Sequence, residues 1–209
     1  MNFTKEHSNL LASDLYKEIQ SGKSSEYIIE KYVLHNIPFF FKNNMDAFFD
    51  IKKIIADHFR VPITNIYLVG SAQFGFSLNP SKEYKNFREA DNEEQNIKAS
   101  DLDFAIISTK LFDEIWNELY DFRINNIPHD ENDKKKFKMF KDYLFKGWIR
   151  PDSWPFDFYK KTEWFEFFNT LNPLVNRQVS CGIFRNEDCF IKNYKQSIEE
   201  LSKRTKEII

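Results

Sequence analysis

Along this chain, apolar positions recur mostly at helical spacing, and only three short runs read as strand. Residues 10–34 predict helix broken near Ser21-Gly22-Lys23, with Ser24 and Ser25 as cap candidates for a second helix. In that second helix Tyr27, Ile28, Ile29, Val33 and Leu34 fall near one face, and Pro38 interrupts the chain beyond it. Over 44–59, Phe48, Phe49, Ile51, Ile54, Ile55 and Phe59 predict an amphipathic helix. RVPITN then leads into an apolar run, Ile66-Tyr67-Leu68-Val69, which stops at Gly70-Ser71 ahead of a helix-compatible turn.

The periodicity disappears over 79–100, NPSKEYKNFREADNEEQNIKAS, a polar stretch of mixed charge that reads as a solvated loop. Loops of that length inside compact domains are often functional. Leu102 to Ile107 is the second strand, followed by a helix, KLFDEIWNELYDF, a loop, NNIPHDEND, and a basic amphipathic helix from Lys134 to Lys146. Residues 147–163 are rich in Pro and Trp and carry no assignable period. A short helix at 164–171, a third strand in VSCGIFRN and a closing helix at 187–206 complete the pattern. Helices interspersed with a few strands define an α/β or α+β fold. At 209 residues, with no repeat and no evident linker, one domain is expected over 1–209, with 1–60 as a helical N-terminal extension.

Composition narrows the function classes. With 23 Phe, 9 Tyr and 4 Trp, the core should be large and ring-rich. A net charge of −2, from 30 basic and 32 acidic residues, argues against a large duplex-DNA surface. Two cysteines, Cys181 and Cys189, are too few for a disulfide framework or a four-cysteine zinc site, and read as free thiols in a reducing compartment. The N-terminus lacks a secretory pattern, and no run of about 18 apolar residues is present, so a cytoplasmic location without membrane partners is expected.

Asp101 and Asp103 stand at i and i+2 in SDLDFAII. On a strand both carboxylates project from one face while Leu102, Phe104 and Ile106 point to the other, buried one. Two adjacent carboxylates repel when ionised unless a cation lies between them. Mg²⁺ takes such oxygen ligands together with waters and substrate phosphates, which suits phosphoryl chemistry. At Gly70 the absence of a side chain lets a phosphate approach the backbone, and Ser71 adds a hydroxyl beside free N–H groups. Taken singly, a D-x-D pair reads as a turn with a solvent-facing strand residue, and Gly-Ser as an ordinary turn.

In combination, LVGSAQFGFS followed by SDLDFAI resembles the signature of the polymerase-β-type nucleotidyltransferase superfamily, matched at Gly70, Ser71, Gly75, Ser100, Asp101 and Asp103. The resemblance covers roughly 66–107 and implies a small mixed sheet flanked by helices, the nucleotidyltransferase fold. It implies that Asp101 and Asp103 bind Mg²⁺, or Mn²⁺ in its place, and that Gly70-Ser71 holds the phosphates of an NTP. The implied activity is transfer of a nucleoside monophosphate to the hydroxyl of an RNA, a protein or another nucleotide, with release of pyrophosphate. The spacing from Ser71 to Asp101 exceeds that of compact members, which makes 79–99 an inserted loop. Active members also carry a third carboxylate on a later strand. Asp157 in PFDFY is the candidate, while VSCGIF places Ser180 and Gly182 where an acid is wanted. The alternative is a non-catalytic nucleotide-binding or protein-interaction module on the same fold, of the kind found in bacterial toxin–antitoxin or anti-phage systems.

Other residues have plainer readings. Arg150 and Arg185 could fork onto phosphate, but surface ion pairing is the commoner fate. Lys134, Lys135, Lys136, Lys138, Lys141 and Lys146 could follow an RNA or an acidic partner, against the simpler reading of a solvated helix face. Trp148 and Trp154 read as core before they read as base-stacking platforms. His7, His35, His58 and His129 share no metal-ligand spacing and read as surface or capping residues. No G-x-S-x-G elbow surrounds Ser71, which disfavours covalent hydrolase chemistry.

Overall fold

A computed structural model describes residues 5–91, 98–126, 130–154 and 158–206. The chain begins with α1 (Ser8–Ala12), α2 (Asp14–Gln20) and α3 (Ser25–Ile29), the last running into π-helical Glu30–Leu34. Next come α4 (Met45–Phe59), β1 (Ile66–Val69), the single turn α5 (Ser71–Phe74) and β2 (Leu102–Ile107). The remainder is α6 (Thr109–Asn125), α7 (Glu131–Phe145), β3 (Trp148–Ile149), α8 (Lys160–Val175), β4 (Val179–Phe184) and α9 (Glu187–Lys206). The architecture is mixed α and β, with one small mixed sheet in the order β1-β2-β4-β3. β3 runs antiparallel to β4, pairing Trp148 with Phe184 and Ile149 with Ile183.

Polar side chains set the helix starts. Ser13 accepts from the Tyr16 N–H and so opens α2. It also sends its hydroxyl to the Leu10 carbonyl, which divides the helix expected over 10–34 ahead of the break at Gly22. Ser24 caps α3 through the Tyr27 N–H, leaving Ser25 as its first helical residue. Asp130 caps α7 through the Asp133 N–H, so that helix starts ahead of Lys134. The unassigned stretch 147–163 contributes β3 and the 3-10 turn Pro151–Ser153, and α8 is twice as long as expected, with Pro173 confined to its last turn.

The backbone divides into two compact units. One comprises Met1–Asp50, Tyr67–Asp103 and Ile191–Ile209. Its core gathers Leu10, Ile19, Ile28, Phe41, Leu68, Phe76, Tyr84 and Leu201, each at most 1% exposed. The other comprises Ile51–Ile66 and Phe104–Phe190. Rings fill its core: Trp154 meets Phe158 and Trp164 edge-on, and Phe59 lies against Trp164 and Phe168. Trp154 is therefore core, as expected, and Trp148 stacks on Phe184. Among the described residues no helix is long and apolar enough to cross a membrane.

Two expectations need correction. The stretch after α5 is not a solvated loop throughout, because Tyr84 and Phe87 are buried within it and Phe76 bridges to Asn86. Burial of two rings without helical or strand periodicity is what makes such a segment look polar from sequence. His7 stands at the N-cap position of α1 but makes no side-chain cap bond there and is not at the surface: it is 4% exposed, and its Nε2–H donates to the Glu83 carbonyl at 2.5 Å. His35 is exposed at a helix end and His58 stacks on Phe167, while His129 lies outside the described residues.

Candidate functional site

The site is built at the C-terminal end of β1. Ile66 and Leu68 point into the core, and Gly70 then takes φ 67° and ψ −153°, a conformation open essentially to glycine alone. That reversal turns the chain into α5, whose carbonyls at Ala72 and Gln73 accept from the N–H groups of Phe40 and Phe39. The buried Gln73 amide fixes the turn from the other side by donating to the Tyr32 carbonyl at 2.9 Å. Gly75 closes it at φ 82°, pressed so tightly on Phe39 that a Cβ would lie 2.8 Å from the ring. As α5 is one turn long, it offers free N–H groups and almost no macrodipole.

Asp103 reaches this turn directly. A Cβ placed on Gly70 would meet Asp103 Oδ2 at 3.2 Å, so the Asp103 carboxylate lies close beside the turn. Leu102, Phe104 and Ile106 are buried on the opposite side of β2, as strand alternation requires, and Ala105 is buried too. Asp101, one residue before β2, is exposed, and Asp103 is half-buried. Partial burial, and then the charge on Asp103, push the Asp101 carboxyl above its ordinary value, while Lys82, Lys98 and Arg88 pull it back.

The segment after α5 forms a wall of this site. Its backbone is fastened to both motifs: Phe87 N–H donates to Gly75 O at 2.8 Å and Ser77 N–H to Lys85 O at 2.9 Å. Arg88 and Ser100 exchange two bonds, Arg88 N–H to the Ser100 hydroxyl at 3.1 Å and Ser100 N–H to Arg88 O at 3.0 Å. The Asp91 carboxylate accepts from the Ala99 N–H. From α1, Asn9 donates to Gly75 O at 2.8 Å, and its own N–H reaches Asn86 Oδ1 at 3.0 Å. The result is a cleft of about 350 Å³ into which Ser71, Lys82, Lys85, Arg88, Asp101 and Asp103 all open.

One neighbour had no sequence signal. Tyr194, on α9, receives the Gly70 N–H on its phenol oxygen and lies beside Asp103. Enclosure of the phenol, reinforced by the Asp103 charge, pushes its pKa well above that of free tyrosine, against the pull of the Gly70 N–H. Tyr194 is thus neutral at physiological pH.

Other candidates fall elsewhere. Arg150 forms an ion pair with Asp152 at 2.6 Å and Arg185 with Asp113 at 3.1 Å, and neither lines the cleft. Lys134, Lys135, Lys136, Lys138, Lys141 and Lys146 lie on or beside α7, with Lys134 in a 2.5 Å pair with Glu131. Cys181 is buried and Cys189 half-buried, both as free thiols. Ser180 and Gly182 lie in β4, where a Cβ on Gly182 would strike the Trp148 indole. Asp157 lies outside the described residues. Among the described residues no three acidic, histidine or cysteine side chains converge to hold a metal ion; Asp101 and Asp103 line the cleft as two carboxylates.

No protein-family model matches the chain, nor does any curated protein or solved structure.

Proposed function

We propose that the chain is a Mg²⁺-dependent nucleotidyltransferase with the nucleotidyltransferase fold, moving a nucleoside monophosphate from an NTP to an acceptor hydroxyl. The observation that carries this reading is that Ser71, Asp101 and Asp103 line one cleft, with the Asp103 carboxylate close beside Gly70. The two carboxylates fit a hard divalent cation: both line one cleft, the ionised Asp101 is disfavoured by partial burial and then by its neighbour's charge, and there is room for phosphate oxygens and water. When bound, the ion neutralises charge on the phosphates and polarises the transferred phosphorus. Ser71 and the free N–H groups of α5 orient the phosphate chain, and Lys82, Lys85 and Arg88 face it from the wall. Asp101 and Asp103 would be the residues that hold the ion at the cleft.

The test is to incubate the protein with each labelled NTP, Mg²⁺ or Mn²⁺, and RNA, protein or nucleotide acceptors. Pyrophosphate release that disappears in the Asp101→Ala, Asp103→Ala double variant supports the reading; unchanged release in that variant refutes it.

A second reading, a non-catalytic nucleotide-binding module on the same fold, draws on the finding that no three such side chains converge among the described residues. It requires nucleotide binding with no pyrophosphate release under any of those conditions.

A further inference from the structure

Helix α7 spends little of its own surface on the core. Phe140 is its buried residue, Arg123 of α6 lies over the Phe137 ring at 4.9 Å, and Tyr143 meets the Trp148 indole edge-on. All six of its lysines, Lys134, Lys135, Lys136, Lys138, Lys141 and Lys146, are exposed. They stand against three acids on the same stretch, Glu131, Asp133 and Asp142, an excess of positive charge in a chain whose net charge is −2. Charge is therefore segregated onto this helix rather than spread over the molecule.

Helical spacing sets Lys134, Lys138, Lys141 and Phe145 at i, i+4, i+7 and i+11, one stripe about 16 Å long. Lys134 bonds Glu131 at 2.5 Å and Lys141 lies over the Phe137 ring at 5.1 Å, yet both remain exposed. Phe145 ends the stripe and is 93% exposed, a whole ring presented to water.

We propose that this stripe of α7 is a docking surface for single-stranded RNA, its lysines following the phosphates and Phe145 stacking on a base. The surface draws nothing from the cleft and stands whether or not nucleotide is turned over there. Single strands are bound by cations that track the backbone together with rings on which bases stack. RNA loops and ends keep their base faces open, whereas a duplex hides them and meets the lysines alone. A purely acidic peptide also meets the lysines alone and leaves Phe145 in water. An anionic membrane takes a continuous apolar face beside the charges, and here Phe137, Phe140 and Leu144 are wholly or partly buried.

Fluorescence anisotropy with a labelled single-stranded RNA of about 12 nucleotides tests this. Expected is a Kd of about 1–100 μM at low salt, with a log–log salt slope of about −2 as about three phosphates are neutralised. Lys138→Gln with Lys141→Gln should weaken binding about tenfold and bring the slope to about −0.7. Phe145→Ala should weaken it about fivefold or more and leave duplex RNA unaffected. These side chains are exposed, so both variants should keep the wild-type circular dichroism and melting point. Lys82→Ala with Arg88→Ala, in the cleft, should leave the RNA affinity within about twofold of the wild type. No binding at about 100 μM protein, either α7 variant without effect, or a larger loss in the cleft variant overturns the proposal. So does tighter binding of duplex RNA, single-stranded DNA, polyglutamate or phosphatidylserine vesicles.

Discussion

The backbone N–H of Gly70 is received by the phenol oxygen of Tyr194, a residue that also borders Asp103. Replacing Tyr194 by Phe removes the acceptor and leaves an enclosed amide unsatisfied, at a cost of about 1–3 kcal/mol. Chemical denaturation should show that loss. Amide hydrogen exchange should show faster exchange at Gly70 in the variant than in the wild type, with Leu68 in β1 unchanged.

Gly70→Ala tests the turn itself. A side chain must occupy a glycine-only region of backbone space and push on Asp103 at 3.2 Å. Strain of this kind costs about 1–3 kcal/mol. Thermal melting should fall by several degrees, and Mg²⁺ should raise the melting point of the variant less than that of the wild type.

Asp101 carries a pH signature. Its carboxyl titrates above the ordinary value of 3.8, so the folded state binds its proton more tightly than the unfolded chain does. The ionised form therefore opposes folding: stability falls as pH rises from 3.8 through the raised value, and the penalty persists above it. Metal-free Asp101→Asn should melt slightly above the wild type at neutral pH. The gain stays below about 1 kcal/mol, because the residue is exposed and screened. Calorimetry across pH should show the difference shrinking as pH falls toward 3.8.

Phe87→Ala tests whether the wall is structural. Phe87 is 5% exposed and packs edge-on against Phe39 and Phe40. Truncating a buried ring costs about 3–5 kcal/mol, against under about 0.5 kcal/mol expected if the segment were a solvated loop. Urea unfolding distinguishes the two, and limited proteolysis should find new cleavage near Lys85 and Arg88.

The helices and strands that position the motifs are legible in the sequence wherever apolar periodicity is strong. α4 ends at Phe59 as its apolar face predicts, and β1 and β2 bury Leu68, Leu102, Phe104 and Ile106. The pairing of Asp101 with Asp103 follows from strand alternation alone. Features that depend on distant contacts escape. Tyr194 carries no local sign of its role, because a tyrosine on an amphipathic helix looks the same whether it meets Gly70 or an aliphatic neighbour. Lys82 and Arg88 look like solvated charges until Tyr84 and Phe87, too few to set a period, are seen to anchor the segment between them. β3 is missed because two residues pairing with β4 leave no pattern to read.

Asn9, the 75–88 wall and Tyr194 come from three separated stretches of one compact unit, so the surroundings of the two motifs draw on residues far apart in the chain. During synthesis the ribosome delivers Gly70, Asp101 and Asp103 long before α9 has emerged. Contacts of such long sequence separation form late. The nascent chain therefore carries both motifs before Tyr194 has been added beside them.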